Sequence, residues 1–468
     1  MACPITGAPS AGKEKNLMNS PVVYCDILRH IPEADWGEVY FQRSASQSVF
    51  YTDKKIEEVS ASSSAGCSAR LLKGRRTAFS VVSGVDRNAA ADALEGACRI
   101  ASIKTPAMPD CGFPLERPQI CFPDDISFLD KTDRLLRREC PWIRQLSLSC
   151  YTNVKSATAV CSDQAVNIEN CHSSFAVEVI VERNGRVESG YSSFSKSGSS
   201  EQFFRELQPE KTARLALNEA LENLRAVECP TGAMPVFLSE KAGGTIIHEA
   251  CGHGMEADLV FEEQSSFAGL KGKQAAAECV TIVDDPMLPG LYGSFDQDDE
   301  GTPGRRTILV ENGILKNYLT DRRTSRLFGL PLTGNGRRQS YASLPVPRMS
   351  NTYVLPGTDT SEAMIESIRH GLYVCRMGGG EVNTTTGEFV FEVTQGYLIK
   401  NGRIAAPVKG ASLIGRGIEA LRGIRAVGEH LCMEPGMCEK EGQSVPVTDG
   451  QPSLLIDGLV VGGTAAGR

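Results

Sequence analysis

The stretch His248-Glu249-Ala250-Cys251-Gly252-His253 sets two of the chain's six histidines five residues apart, with a glutamate beside the first. Paired imidazoles flanking a carboxylate are the donor set of a catalytic metal centre, in which the rings bind a divalent ion and the acid handles protons beside it. In the familiar zinc-peptidase helix the histidines are four apart and share one face. A fifth residue rotates the second ring by roughly 140° on a regular α-helix, too far round for one ion to be shared. A single wide π-type turn absorbs the additional residue, and Gly252, just before His253, eases the distortion. The spacing therefore predicts such a turn within 246–256, with Glu249 as the proton carrier. Glu256 and Asp258, a turn further on, either orient a ligand ring or sit in water.

Two histidines leave a catalytic ion short of its third protein ligand. Sixteen cysteines are available, although any one of them is by default a small core residue, and Cys251 inside the motif reads as packing. Asp296, Asp298, Asp299 and Glu300 form an acidic cluster that either binds a cation or a peptide amine, or is simply a surface loop. Arg337 and Arg338 either fork a substrate carboxylate or belong to a solvated basic loop. A different class of function is a non-catalytic subunit that binds extended peptides on a sheet edge. Such a subunit has no need of His248, Glu249 and His253 together. A cysteine hydrolase is disfavoured because no Cys-His-Asn pattern is evident.

Composition narrows the field. The chain of 468 residues is 41% hydrophobic and 23% charged, which is ordinary for a globular protein with room for two cores. A net charge of −8 argues against direct contact with nucleic acid, which usually requires a basic face. No run of about 18 apolar residues is present, so no membrane span is expected. The cysteines are scattered, and the start MACPITGAPSAGKEKN has no apolar signal core; reduced thiols in the cytoplasm are the expectation.

The elements that position the motif follow from periodicity. Residues 1–20 are expected to be a mobile leader. EVYFQ, SVFYT and CSARLL read as short strands, followed by a helix at 87–102. After a Pro-rich connection at 103–123 and a helix near 126–138, LSLSCY, SATAVCS, FAVEVIVE and RVESGYSSF repeat the rhythm, and a helix begins at 211. Residues 21–228 thus read as an α+β domain of two similar antiparallel units with helices. Cys229-Pro230-Thr231-Gly232 is the expected hinge into a β-rich domain, 229–468, that carries the metal-site helix. Asn184-Gly185, Asn312-Gly313 and Asn401-Gly402 mark hairpins, and 417–431 reads as a helix leading to Cys432.

PVFLSEKAGGTIIHEACGHGMEAD, GSFDQDDEGTPG, TGNGRR, GEFVFEVTQGYLIKNGRIAAPVKGASLIG and MCEKEGQSVPVTDGQP resemble, in this order, segments of the TldD/PmbA family of metallopeptidases. The histidine pair places the chain with the TldD branch. The resemblance implies a zinc peptidase, with ferrous iron as the alternative metal, that hydrolyses unfolded or short peptides. It also implies a dimer, with a second copy or with a PmbA-type chain. It assigns the third metal ligand to Cys438 within MCEKEGQSVPV, a Gly- and Pro-punctuated segment read as a loop, and a thiolate suits zinc. Cys432 is the competing cysteine. TldD-like proteins are also associated with modulation of DNA gyrase, and the acidic charge directs any such effect through a protein partner.

Overall fold

The computed structural model describes residues 20–31, 33–107 and 115–463. The expected leader lies outside these residues except for Ser20, which begins a helix, and so does part of the Pro-rich connection. The fold is α+β, as the alternation of strand and helix patterns implies.

The first half runs α1 (Ser20–Arg29), β1 (Trp36–Thr52), β2 (Lys55–Lys73), β3 (Arg76–Ser83) and α2 (Arg87–Ala101). The order then repeats as α3 (Ser127–Glu139), β4 (Ile143–Cys161), β5 (Ala165–Arg183), β6 (Arg186–Ser197), α4 (Ser200–Glu206) and α5 (Pro209–Asn223). The two units expected from the rhythm are present, fused through β1 and β4 into one antiparallel sheet of order β3-β2-β1-β4-β5-β6. Its strands are longer than the apolar patterning suggests: EVYFQ and SVFYT are parts of one 17-residue strand. The polar stretch between them continues the ladder because serine hydroxyls pair across β1 and β2, Ser44 with Ser64 at 2.8 Å, Ser46 with Ser62 at 2.7 Å and Ser48 with Ser60 at 2.7 Å.

One face of this sheet is apolar and covered by helices. Ala93, Leu94 and Ala97 of α2 join Val39, Phe41 and Leu71 in one core. Leu129 and Leu136 of α3, with Ala216 and Ala220 of α5, meet Leu148, Phe175 and Val177 in another. The opposite face carries Glu38, Tyr40, Arg70 and Lys155, which bond to residues of the second half.

The second half is built from a two-stranded pair, 336–337 with 346–347, and two larger sheets. In one, strands 370–382, 232–238, 454–462, 411–416 and 388–400 pair in that order, and 388–400 pairs back onto 370–382, closing a ring. The other has the order 314–315, 307–311, 282–284, 351–354, 443–451 and 432–440, so the last strand is an edge. Asn-Gly turns close three hairpins of the chain with positive φ at both residues: 53° and 77° at 184–185, 48° and 79° at 312–313, 50° and 74° at 401–402. The metal-motif segment is wedged between ring and sheet. Ile246, Ile247, Ala250 and Met255 share a core with Val374, Phe389 and Leu413 of the ring and with Ile282, Val354 and Val447 of the sheet.

Two expectations are corrected here. The helix expected over 417–431 stops after Gly417–Arg422, and Ile424–Val427 is a strand. At Gly423 a Cβ would lie 2.6 Å from the Asp457 carbonyl, and the residues after it pair with 454–456, so tertiary pairing overrides the helical pattern. Cys438 lies in the strand Cys432–Lys440, not in a loop, and that strand has the fixed register Cys438 opposite Val445.

Candidate metal centre

The motif adopts the wide turn its spacing requires. Thr245–Ile247 begins as α-helix, His248–Gly252 follows as a π-type turn, and the His253 N–H donates to the His248 carbonyl five residues back. The rings meet with centroids 5.0 Å apart at 90°. Gly252 contributes differently from the expectation: its φ of −56° is ordinary helical backbone, and what it supplies is room. A Cβ there would lie 1.9 Å from the sulfur of fully buried Met349. Gly244 supplies both conformation and room. It has φ +67°, and a Cβ would lie 2.6 Å from the Gly450 nitrogen, so the segment starts in close contact with the hairpin 432–451.

That hairpin delivers the third donor. Cys438 Sγ lies 3.5 Å from His253 Nε2, and donor atoms of His248, His253 and Cys438 all fall within 4.8 Å of one another. All three residues are buried, at 4%, 7% and 1% exposure. Each ring has its other nitrogen occupied: His248 Nδ1 is 2.7 Å from Asp449 Oδ1, and His253 Nδ1 is 3.0 Å from Glu256 Oε2. Carboxylates at Nδ1 fix the ring orientation and leave Nε2 to face the cluster. Behind Glu256 lies Lys440, two residues along the strand from Cys438, whose Nζ contacts Glu256 and Asp258 at 2.9 Å each and the Pro347 carbonyl at 3.1 Å. Glu256 and Asp258 are therefore buried partners of one lysine, not solvated surface acids.

In the metal-free cluster the charge on each donor is held by its neighbours. Burial opposes ionisation of Cys438, but the neighbouring His248 and His253 outweigh it and draw the thiol down to about 4. Burial also opposes charge on His253, where Glu256 and the Cys438 sulfur prevail and hold the imidazole up to about 10. Glu256 is ionised despite complete burial, since Lys440 and His253 bring it down to about 2. Glu249 is the one member facing outward. Its side chain is 30% exposed, with Oε2 4.0 Å from His253 Nε2.

Other candidates resolve differently. Cys432 donates to Glu434 at 3.6 Å, and Cys251 is buried with its thiol toward the Ile246 carbonyl at 3.8 Å. Asp298, Asp299 and Glu300 are not a surface loop. Asp299 takes Lys155 at 2.6 Å, Glu300 takes Arg70, and Asp298 accepts three backbone N–H groups. Arg338 is fully buried and paired with Glu38 at 2.6 Å; it locks this loop onto the first sheet. Arg337 donates to the carbonyls of Met349 and Pro446. Sequence reasoning missed Asp449, Lys440 and Arg348, which donates to the Cys438 and Gln443 carbonyls and pins the ligand hairpin. No local spacing points to them.

Two imidazoles with carboxylate-backed Nδ1 atoms and a thiolate fit zinc, whose sites take nitrogen and sulfur donors and, when catalytic, three protein ligands. Residues 231–463 match the family model described as the PmbA/TldA metallopeptidase C-terminal domain, and residues 37–101 match PmbA/TldA metallopeptidase domain 1. The chain is 36% identical to a metalloprotease TldD homolog of Haemophilus influenzae over 458 residues, 94% of this chain and 95% of that protein. It is 36% identical over 244 residues to a zinc metalloprotease TldD homolog of Saccharolobus solfataricus, covering 52% of this chain and 54% of that one. The crystal structure of TldE from Thermococcus kodakarensis shares the fold, with a TM-score of 0.70 at 19% identity, covering 96% of this chain and 99% of that chain.

Proposed function

Because the chain belongs to the TldD/PmbA family of metallopeptidases, we propose that it is a zinc-dependent peptidase acting on unfolded or short peptides, with His248, His253 and Cys438 as ligands and Glu249 as general base. The observation that carries the reading is the convergence of three buried donors, two of them backed by carboxylates, beside one partly exposed glutamate. Zinc held by His248, His253 and Cys438 would supply a Lewis acid toward a peptide carbonyl. Glu249 accepts a proton from the attacking water and returns it to the leaving amine. Asp449 and Glu256 each accept the Nδ1 proton of a ligand ring, which keeps both Nε2 lone pairs available. Iron is the alternative metal, less suited to the thiolate.

Burial of the ligands supports the substrate class. An extended chain can reach a recessed site that the surface of a folded protein cannot. The free thiols among the described cysteines fit a reducing compartment, and we place the protein in the cytoplasm. No helix of the described residues is long and apolar enough to cross a membrane. As the family resemblance implies, we propose that the chain pairs with a second copy of itself or with a PmbA-type chain.

Metal analysis alongside a peptide-cleavage assay, with and without chelator, tests the proposal. The wild type is expected to carry zinc and lose cleavage on chelation, and Glu249→Gln to retain zinc without cleavage. Turnover by Glu249→Gln at the wild-type rate refutes the role of Glu249. Zinc binding with peptide binding but no cleavage points to a non-catalytic peptide-binding subunit.

A further inference from the structure

A cavity of about 300 Å³ lies between the polar face of the first sheet and the hairpin that carries Cys438, and neither the three ligands nor Glu249 line it. Tyr151, Asn153, Asn170 and His172 line one wall, and Arg337 and Pro446 line the other. The charges around it nearly cancel. Lys155 is matched by Asp299, 2.6 Å away, and Arg338 by Glu38 at 2.6 Å. Asp298, also on the wall, has its oxygens taken up by the backbone N–H groups of Glu300, Thr302 and Gly336, while burial and Glu300 push its carboxyl well above the usual range.

Arg337 is the exception. It is buried at 5% exposure and gives one N–H each to the Met349 and Pro446 carbonyls, and among the described residues no carboxylate pairs with it. A guanidinium has five N–H donors, so three remain. Burial lowers its pKa to about 10, which still leaves it charged at neutral pH. His172 lines the facing wall. Burial first, then Arg337 and Lys155, bring it down to about 3, so it stays a neutral hydrogen-bonding group.

We propose that this cavity binds a carboxylate-bearing ligand, with Arg337 as the counter-charge and the side-chain amides of Asn153 and Asn170 as neutral donors. A planar carboxylate matches the guanidinium fork. A carboxylate sets a single negative charge against the guanidinium that lacks a carboxylate partner, whereas a phosphate dianion would bring a second negative charge beside Asp299. The volume suits a small organic acid or the last residue of a peptide, two sources of the same group.

Calorimetric titration of the full-length protein with N-acetylglycine, its amide and propionate tests this without reference to cleavage, so it stands or falls separately from the peptidase reading. The acid is expected to bind at least about tenfold tighter than the amide, and Arg337→Met to remove that advantage. Because Arg337 also fastens the hairpin, Asn153→Trp blocks the cavity from the opposite wall; it is expected to abolish acid binding while metal content and unfolding temperature hold. Propionate binding as well as N-acetylglycine identifies a free small carboxylate, and binding of N-acetylglycine alone identifies a peptide terminus. Equal binding of acid and amide, or acid binding that survives both variants, overturns the assignment. So does acid binding that persists in Asn153→Trp and disappears on chelation, which places the probe at the metal.

Discussion

Replacing Lys440 by methionine isolates what holds His253 in its coordinating form. Methionine keeps most of the stem but removes the charge that contacts Glu256 and Asp258, two carboxylates at 0% and 6% exposure. Breaking a buried pair from one side costs about 3–5 kcal/mol, because the remaining charge is left uncompensated. Glu256 can relieve that cost by taking up a proton, and it then ceases to be a simple acceptor for His253 Nδ1. The ring is freed to carry its proton on Nε2, the nitrogen that faces Cys438. Zinc affinity is therefore expected to fall by about 10–100-fold, the usual effect of losing a partner behind a ligand. Competition with a chromophoric chelator at neutral pH reads the affinity, and thermal unfolding reads the stability. Adding Glu256→Gln to Lys440→Met is expected to recover stability without recovering affinity, since the buried charge is gone but no anion supports the ring. Wild-type zinc affinity in destabilised Lys440→Met refutes the reasoning and leaves Lys440 a purely structural pair.

Cys438→Ser is expected to lose bound metal and peptidase activity together, whereas Cys432→Ser, whose thiol faces Glu434, keeps both; elemental analysis of the two variants decides. Gly252→Ala forces a methyl into Met349 and is expected to cost about 1–3 kcal/mol in thermal unfolding and to weaken zinc binding. Glu38→Gln leaves Arg338 buried without its partner and is expected to destabilise by about 3–5 kcal/mol, measured by denaturant unfolding. Glu256 lies at about 2 against an ordinary 4.5, so its ionisation contributes about 3 kcal/mol. That contribution is present above pH 4.5 and lost as pH falls through about 2. The metal-free wild type should lose stability more steeply than Glu256→Gln across that window.

What the sequence disclosed was what is local. Two histidines five apart demand a wide turn if they share an ion, and the turn is present because that demand is settled within six residues. Asn-Gly pairs announce hairpins for the same reason. Cys438 was legible only through resemblance, since one thiol among sixteen has no local mark. Asp449, 201 residues from the histidine it supports, and Lys440, 184 residues from Glu256, had no mark at all. The acidic loop misled because carboxylates usually signal solvent; here the first sheet supplies Arg70 and Lys155 to bury them. The long strands were divided because their middles are serine, and serine pairing across a ladder does not register as apolar alternation.

The same separation in sequence makes the metal centre a product of tertiary assembly. His248 and His253 belong to a short segment held mostly by the ring and sheet around it, whereas Cys438, Lys440 and Asp449 come from one hairpin. That hairpin is fastened on its far side by Arg337 and Arg348 through backbone carbonyls and on its near side by the close approach of Gly244 to Gly450. A hairpin shift of even one residue would exchange the faces of Cys438 and Met437 and withdraw ligand, lysine and Asp449 together. Zinc would then stabilise the docked arrangement over any in which the hairpin has slipped, since only the docked state presents all three donors. Metal loss and loosening of this hairpin are thus two readings of one equilibrium. Hydrogen exchange along 432–451 should accelerate on chelation while the first sheet, which contributes no ligand, remains protected.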